Sequence, residues 1–185
     1  GGLGVPLKGA SPVRGCPGGV MRTIGGCFAF YGTFTAAYTR YVAGSFAPTG
    51  VAWSYDNRTA GFRIVGHGPS LRIECRAPGA DANPYLAFAS MLMAGLDGIK
   101  NKIDPGPAMD KDLYDLPKEE LKQIPTVCGS LREALENLDK DRAFLKNGGV
   151  FDDDFIDAYI ELKMTDVMRF EMTPHPVEFD MYYSY

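Results

Sequence analysis

Histidine and tryptophan are scarce, at two and one in 185 residues. Neither histidine has a second His or Cys at ligand spacing: His67 sits in a Gly-His-Gly-Pro turn and His175 between two prolines, so both read as structural. The four cysteines, at 16, 27, 75 and 128, form no CxxC or finger pattern, and their scatter fits a reducing cytoplasm. No run of about 18 apolar residues is present, so no membrane-spanning helix is expected. Residues 1 to 7 lack the apolar centre of a signal peptide. A GxxxxGK[ST] loop is also missing, which removes that mode of phosphate binding. Net charge is -4, too acidic for a broad nucleic-acid surface. What remains is 45% hydrophobic and 23% charged, the makings of an ordered globular domain.

Acid is unevenly placed. Up to residue 70 there are six basic groups (Lys8, Arg14, Arg22, Arg40, Arg58, Arg63) against Asp56 alone, and the first 35 residues contain no acid at all. The remainder holds 13 basic and 22 acidic groups. Gly-Gly pairs begin at 1, 18 and 25, and few long apolar runs occur there beyond Cys27 to Tyr31. Residues 1–35 therefore read as an unassigned Gly-rich segment, a loop, a poorly ordered tail or sequence foreign to the parent fold, with the domain proper at 36–185.

From Val51 the pattern sharpens. Val51 to Trp53, Gly61 to Val65 and Leu71 to Arg76 are short β-prone runs separated by turn residues, and they look like successive antiparallel strands. After Pro84 the period becomes helical. Leu86, Phe88, Met91, Leu92, Met93 and Leu96 make a wide apolar surface, Asp81 or Asn83 is placed to cap, and the helix is expected to be buried on most sides. The acidic half is helical. Ser130 and Glu133 form a capping box, Gly148-Gly149 ends a turn, Asp152 to Asp154 stand at the start of the next helix, and Thr173-Pro174 stops it. The tail from His175 to Tyr185 is too aromatic for a free end and is expected to pack against something, such as another subunit.

The stretch richest in chemistry is Arg72 to Arg76. Alternation on a strand puts Arg72, Glu74 and Arg76 on one face. A carboxylate flanked by guanidiniums suits a divalent cation together with phosphate oxygens. The plain alternative is a solvated face of cross-strand ion pairs. Arg58 and Arg63 lie just upstream and tilt the reading toward anion handling. Tyr114, in an acidic loop ended by Pro117, reads by pattern as a surface tyrosine.

Asn57-Arg58, Arg63, Arg72 to Arg76 and Asp81 to Leu86 strongly resemble the C-terminal part of the glutamine synthetase catalytic domain. Downstream, Met93 to Ile103, Met109 to Pro117, Gly148 to Asp153 and Thr173 to Tyr183 resemble the bacterial type I enzymes. The resemblance covers residues 38–185, while 1–35 match no part of the pattern. It implies an α+β fold, a few antiparallel strands followed by a helical part, belonging to a larger domain. It further implies ATP-dependent formation of glutamine from glutamate and ammonia through γ-glutamyl phosphate, with Mg²⁺ or Mn²⁺, in a cytoplasmic double-ring dodecamer serving nitrogen metabolism. Glu74 matches a metal ligand, Arg76 an arginine contacting glutamate and the transferred phosphate, and Arg58 a γ-phosphate arginine. Arg63 and Arg72 match nucleotide-side arginines, Arg40 an arginine holding the substrate carboxylate, and Tyr114 a tyrosine modified by an adenylyltransferase.

Two departures stand out. Ala36 to Arg40 replaces the family's N-S-Y-K-R, and Gly44 to Pro48 replaces G-x-E-x-P, so that Phe46 stands where a proton-accepting Glu is usual. Gly44 to Asn83 looks more like relatives that ligate amines to glutamate, which keeps a γ-glutamyl amine or polyamine ligase as the alternative, beside an inactive remnant. With one carboxylate of the metal set present, the isolated chain is expected to lack ligase activity.

Overall fold

A computed structural model describes residues 12–41 and 50–183. Phe46 and Tyr185 lie outside these residues. Among these residues the fold is α+β: two α-helices, a three-stranded sheet, then five α-helices.

The most hydrophobic segment is the least expected one. Helix α1 (Pro12–Arg22) and helix α2 (Ile24–Tyr31) occupy the stretch read as loop or tail. In α2 no side chain carries a charge, and all of its residues but Gly25 are buried, as suits a helix apolar all round. Phe28 packs edge-on to Tyr41 at 5.1 Å, and Phe30 meets Tyr159 at 4.9 Å. The glycines of α1 make contacts rather than turns. A side chain at Gly19 would lie 2.1 Å from the carbonyl oxygen of Ala94, and one at Gly18 2.2 Å from that of Ile103. Absent side chains thus let α1 lie directly on helix α3 (Pro84–Lys100), and Arg22 seals the pair by donating to Asp97 at 2.7 Å.

Strands β1 (Trp53–Tyr55), β2 (Phe62–Val65) and β3 (Arg72–Cys75) form the sheet in that order. β2 and β3 are antiparallel as expected, but β1 and β2 run parallel, with Trp53 beside Phe62. The reason is an extra coil between them. Asp56 takes a left-handed conformation (φ 49°), and the chain then curls onto Asn57, whose Oδ1 accepts from the amide and hydroxyl of Thr59. This returns the chain to the starting end of the sheet.

Asn83, not Asp81, caps α3 by accepting from the amides of Tyr85 and Leu86. The helix is buried on one side only. Ala87, Met93, Ala94 and Gly98 face inward, while Tyr85 (84% exposed), Phe88 (69%), Leu92 and Leu96 form an outward apolar stripe among the described residues. A short helix α4 (Lys118–Leu121) precedes α5 (Leu131–Lys140). Ser130 accepts from the Glu133 amide as expected, but the Glu133 carboxylate reaches one residue further back, to the Gly129 amide at 2.7 Å. Gly148 and Gly149 both take positive φ before α6 (Asp153–Glu171), which Asp152 caps through the Phe155 amide. The last helix, α7 (Pro176–Tyr182), is capped by His175 and buries none of its residues. Among the described residues no helix is long and apolar enough to cross a membrane.

All four cysteines are free thiols. Burial pushes Cys27 and Cys75 up to about 12 and Cys128 to about 11, and raises Cys16 as well. Unfolded thiols ionise near pH 8.5. Between that pH and the folded values the native state holds more protons than the unfolded one, so stability is undiminished below about pH 8.5 and falls as pH rises through the folded values. Iodoacetamide at pH 8 is accordingly expected to label the native protein far more slowly than the urea-unfolded one. Equal labelling rates would contradict the burial of these thiols.

Candidate functional site

The β2–β3 register sets Arg63 directly opposite Glu74. Arg63 Nη1 donates to Glu74 Oε2 at 3.0 Å, and Arg72 Nη2 donates to Oε1 at 2.9 Å. Arg63 also pairs with Asp56, the residue that opens the coil after β1. Strand alternation explains the arrangement: Phe62 and Ile64 enter the core while Arg63 between them points to the other face. Partial desolvation pushes the Glu74 carboxyl up, but the bonds from Arg63 and Arg72 outweigh it and hold the group below the usual carboxylate range. The Arg63 guanidinium is held above its usual value chiefly by Asp56.

The expected cluster is assembled only in part. Arg63, Arg72 and Glu74 meet, whereas among the described residues no ion pair joins Arg76 or Arg58 to Glu74. Arg76 lies just beyond β3, tied down by its amide to the Gly61 carbonyl at 2.9 Å, and its Nη1 is a buried donor with no partner among the described residues. Arg40 ends a 3₁₀ turn (Thr35–Arg40) and reaches the same place from the other side. Its Nη2 donates to the carbonyls of Arg76 at 3.3 Å and Ala77 at 3.2 Å, and the guanidinium lies 4.9 Å over the Tyr41 ring. Arg40 and Arg76 are thus neighbours through a backbone carbonyl, a relation invisible along the sequence. The two histidines stay where turn chemistry put them: His67 opens an exposed 3₁₀ turn, and His175 Nδ1 accepts from the Val177 amide.

Arg58 is exposed in the coil after β1, and Tyr114 is exposed on a 3₁₀ turn (Leu113–Asp115). These two regions touch. Asn57 donates to the loop before Tyr114, and Ser54 Oγ donates to Asp110 at 2.9 Å. Sequence reading placed Asn57 within the family's Asn-Arg motif but gave no role to Asn57, Thr59 or Asp110; the local signal was an Asn two residues before a Thr, the pattern of an Asx turn.

A divalent cation takes several oxygen ligands. Among the described residues no three His, Cys, Asp or Glu side chains gather to hold one, and both oxygens of Glu74 are taken by guanidiniums. These residues by themselves do not fit a metal centre.

A family model for the glutamine synthetase catalytic domain matches residues 8–182, and so includes most of the stretch before residue 36 that the motif resemblance does not reach. The chain is 70% identical over 169 residues to a glutamine synthetase of Bradyrhizobium diazoefficiens and 59% identical to one of Methylococcus capsulatus. Each alignment covers 90% of this chain and 36% of the relative, so the chain spans about a third of the length of these curated proteins. Such identity does not favour the amine-ligase alternative. A solved structure described as "GmaS/ADP complex-Conformation 1" superposes with a TM-score of 0.82 at 27% identity, over 98% of this chain and 42% of that one. Strand face, helical half and glycine-packed start thus belong to one known architecture, and the chain is a member of the glutamine synthetase catalytic-domain family.

Proposed function

We propose that the whole enzyme to which this segment belongs is a glutamate–ammonia ligase, forming glutamine with release of ADP and phosphate through γ-glutamyl phosphate. The observation that carries the reading is the guanidinium-lined end of the sheet. Arg63 and Arg72 flank one carboxylate, Arg58 projects nearby in sequence, and Arg76 keeps an unsatisfied buried donor. A buried N–H without a partner costs free energy unless a ligand supplies the acceptor, and phosphoryl transfer gathers negative charge that such donors stabilise.

In this reading Arg58 meets the γ-phosphate, and Arg63 and Arg72 serve the nucleotide side. Arg76 contacts glutamate and the transferred phosphate, and Arg40, bonded to the Arg76 carbonyl, orients the substrate carboxylate. Mg²⁺ or Mn²⁺ would take Glu74 as one oxygen ligand only, with the rest supplied from outside these 185 residues. The exposed phenol of Tyr114 is the acceptor for an adenylyltransferase. Subunits assemble into a cytoplasmic oligomer, of the dodecameric kind the resemblance implies, that uses the apolar tail.

The test is an assay of the full-length enzyme. Phosphate release from ATP is expected to require both glutamate and ammonia, and the Arg58→Ala variant is expected to lose roughly 10²–10³-fold in kcat, as removal of one transition-state donor does elsewhere. Turnover driven by alkylamines or polyamines in place of ammonia would overturn the assignment.

A further inference from the structure

We propose that Asn57 is a positioning residue for Arg58, a clamp that ties the coil bearing the arginine to the loop at 109–113. The proposal rests on the reading that Arg58 serves the nucleotide phosphate. Asn57 uses its whole side-chain amide. Nδ2 donates to the carbonyls of Met109 and Lys111, both at 2.9 Å. Oδ1 accepts from the Thr59 amide at 2.9 Å and from the Thr59 hydroxyl at 2.7 Å. With two donors and two acceptor positions filled, the amide has no further bonding capacity.

Thr59 closes the link a second time. Its Oγ1 accepts from the Leu113 amide at 3.0 Å, so both neighbours of Arg58 are fastened to the same loop. That loop is itself fixed to the sheet, since the Met109 amide donates to the Trp53 carbonyl at 2.8 Å, and Leu113 packs with Ala52, Ala60 and Leu116 in a small core. The residue before the clamp, Asp56, holds a left-handed φ that side-chain-bearing residues rarely adopt. Such a conformation persists where its surroundings dictate it, and Asn57 with the Asp56–Arg63 pair does so here.

Arg58 has no such fastening of its own. Among the described residues its side chain makes no hydrogen bond or ion pair, so its direction is inherited from the backbone that Asn57 and Thr59 hold. A flexible guanidinium on a loose coil would spend little time facing a phosphate, and the clamp removes that freedom before substrate arrives. The same bonds set the backbone leading into the Tyr114 turn, so the two exposed side chains share one support.

The test uses the full-length protein with two variants, Asn57→Ala, which removes the amide, and Thr59→Val, which removes the hydroxyl while nearly keeping its shape. Hydrogen exchange of peptides covering 56–60 and 109–114 is expected to quicken at least roughly tenfold in both variants, as loss of about one net hydrogen bond or more implies, with 72–75 unchanged. In kinetics kcat is expected to fall part of the way toward the Arg58→Ala value, with the KM for ATP raised and the KM for glutamate unchanged, a split that general loosening would not produce. Unchanged exchange at 56–60 in both variants overturns the clamp, as does a parallel rise in both KM values. Absence of ATP turnover in the unmodified protein would instead remove the ligase reading, leaving exchange to decide the clamp alone.

Discussion

Gly98→Val is expected to abolish the native packing of α1 on α3. An added Cβ at this position would lie 2.1 Å from the Gly15 carbonyl oxygen, 2.4 Å from the Gly19 nitrogen and 2.5 Å from its Cα. All three are backbone atoms, which cannot rotate away as a side chain would. Relief requires moving one helix bodily, and α1 is held to α3 along its length through Gly15, Gly19 and the Arg22–Asp97 pair. Overpacking in a close-fitted core costs about 1–3 kcal/mol, a fall in Tm of roughly 2–12 °C for a chain of this size, and because backbone is struck the upper end of that range or outright unfolding is expected. Gly106→Ala is the matched control. Gly106 has a positive φ of 77° but nothing within 4 Å of an added Cβ, so only the left-handed strain of about 1–2 kcal/mol applies. If thermal unfolding ranks the two variants the other way, the glycine contact is not what joins these helices.

Removing residues 175–185 is expected to turn a self-associating protein toward monomer in size-exclusion chromatography. Val177, Phe179, Met181 and Tyr182 stand exposed on α7, Tyr183 just after it is 81% accessible, and among the described residues the Phe179 and Tyr183 rings pair with each other at 5.3 Å. Burial of apolar surface is worth about 25 cal/mol per Å², and an aromatic side chain offers about 150–250 Å². Several such groups seated in a second copy therefore contribute several kcal/mol to association. Unchanged elution after the deletion would show that α7 plays no part in it.

Local rules carried much of the fold. Asn83 before Pro84, Ser130 before Glu133 and Asp152 before an apolar period all became the caps their chemistry requires. The Arg72–Glu74 pair followed from strand alternation alone. What stayed hidden depends on partners distant in the chain. A glycine read locally is a breaker, whereas Gly19 is required by a carbonyl on α3. The parallel pairing of β1 and β2 depends on how Asn57 curls the intervening coil, and the role of Arg40 on carbonyls 36 to 38 residues away. Tyr114 read as a surface tyrosine and is one; its shared support with Arg58 could be seen only in three dimensions.

The contact between α1 and α3 also sets a timetable for synthesis. Arg22 and Asp97 are 75 residues apart in the chain. At about 5–20 residues per second of translation, the glycine-rich helix emerges roughly 4–15 s before the surface it must lie on. During that interval α2, apolar on every side, has neither α3 nor α5 to cover it. Slower elongation between residues 32 and 84 is expected to lengthen that exposure.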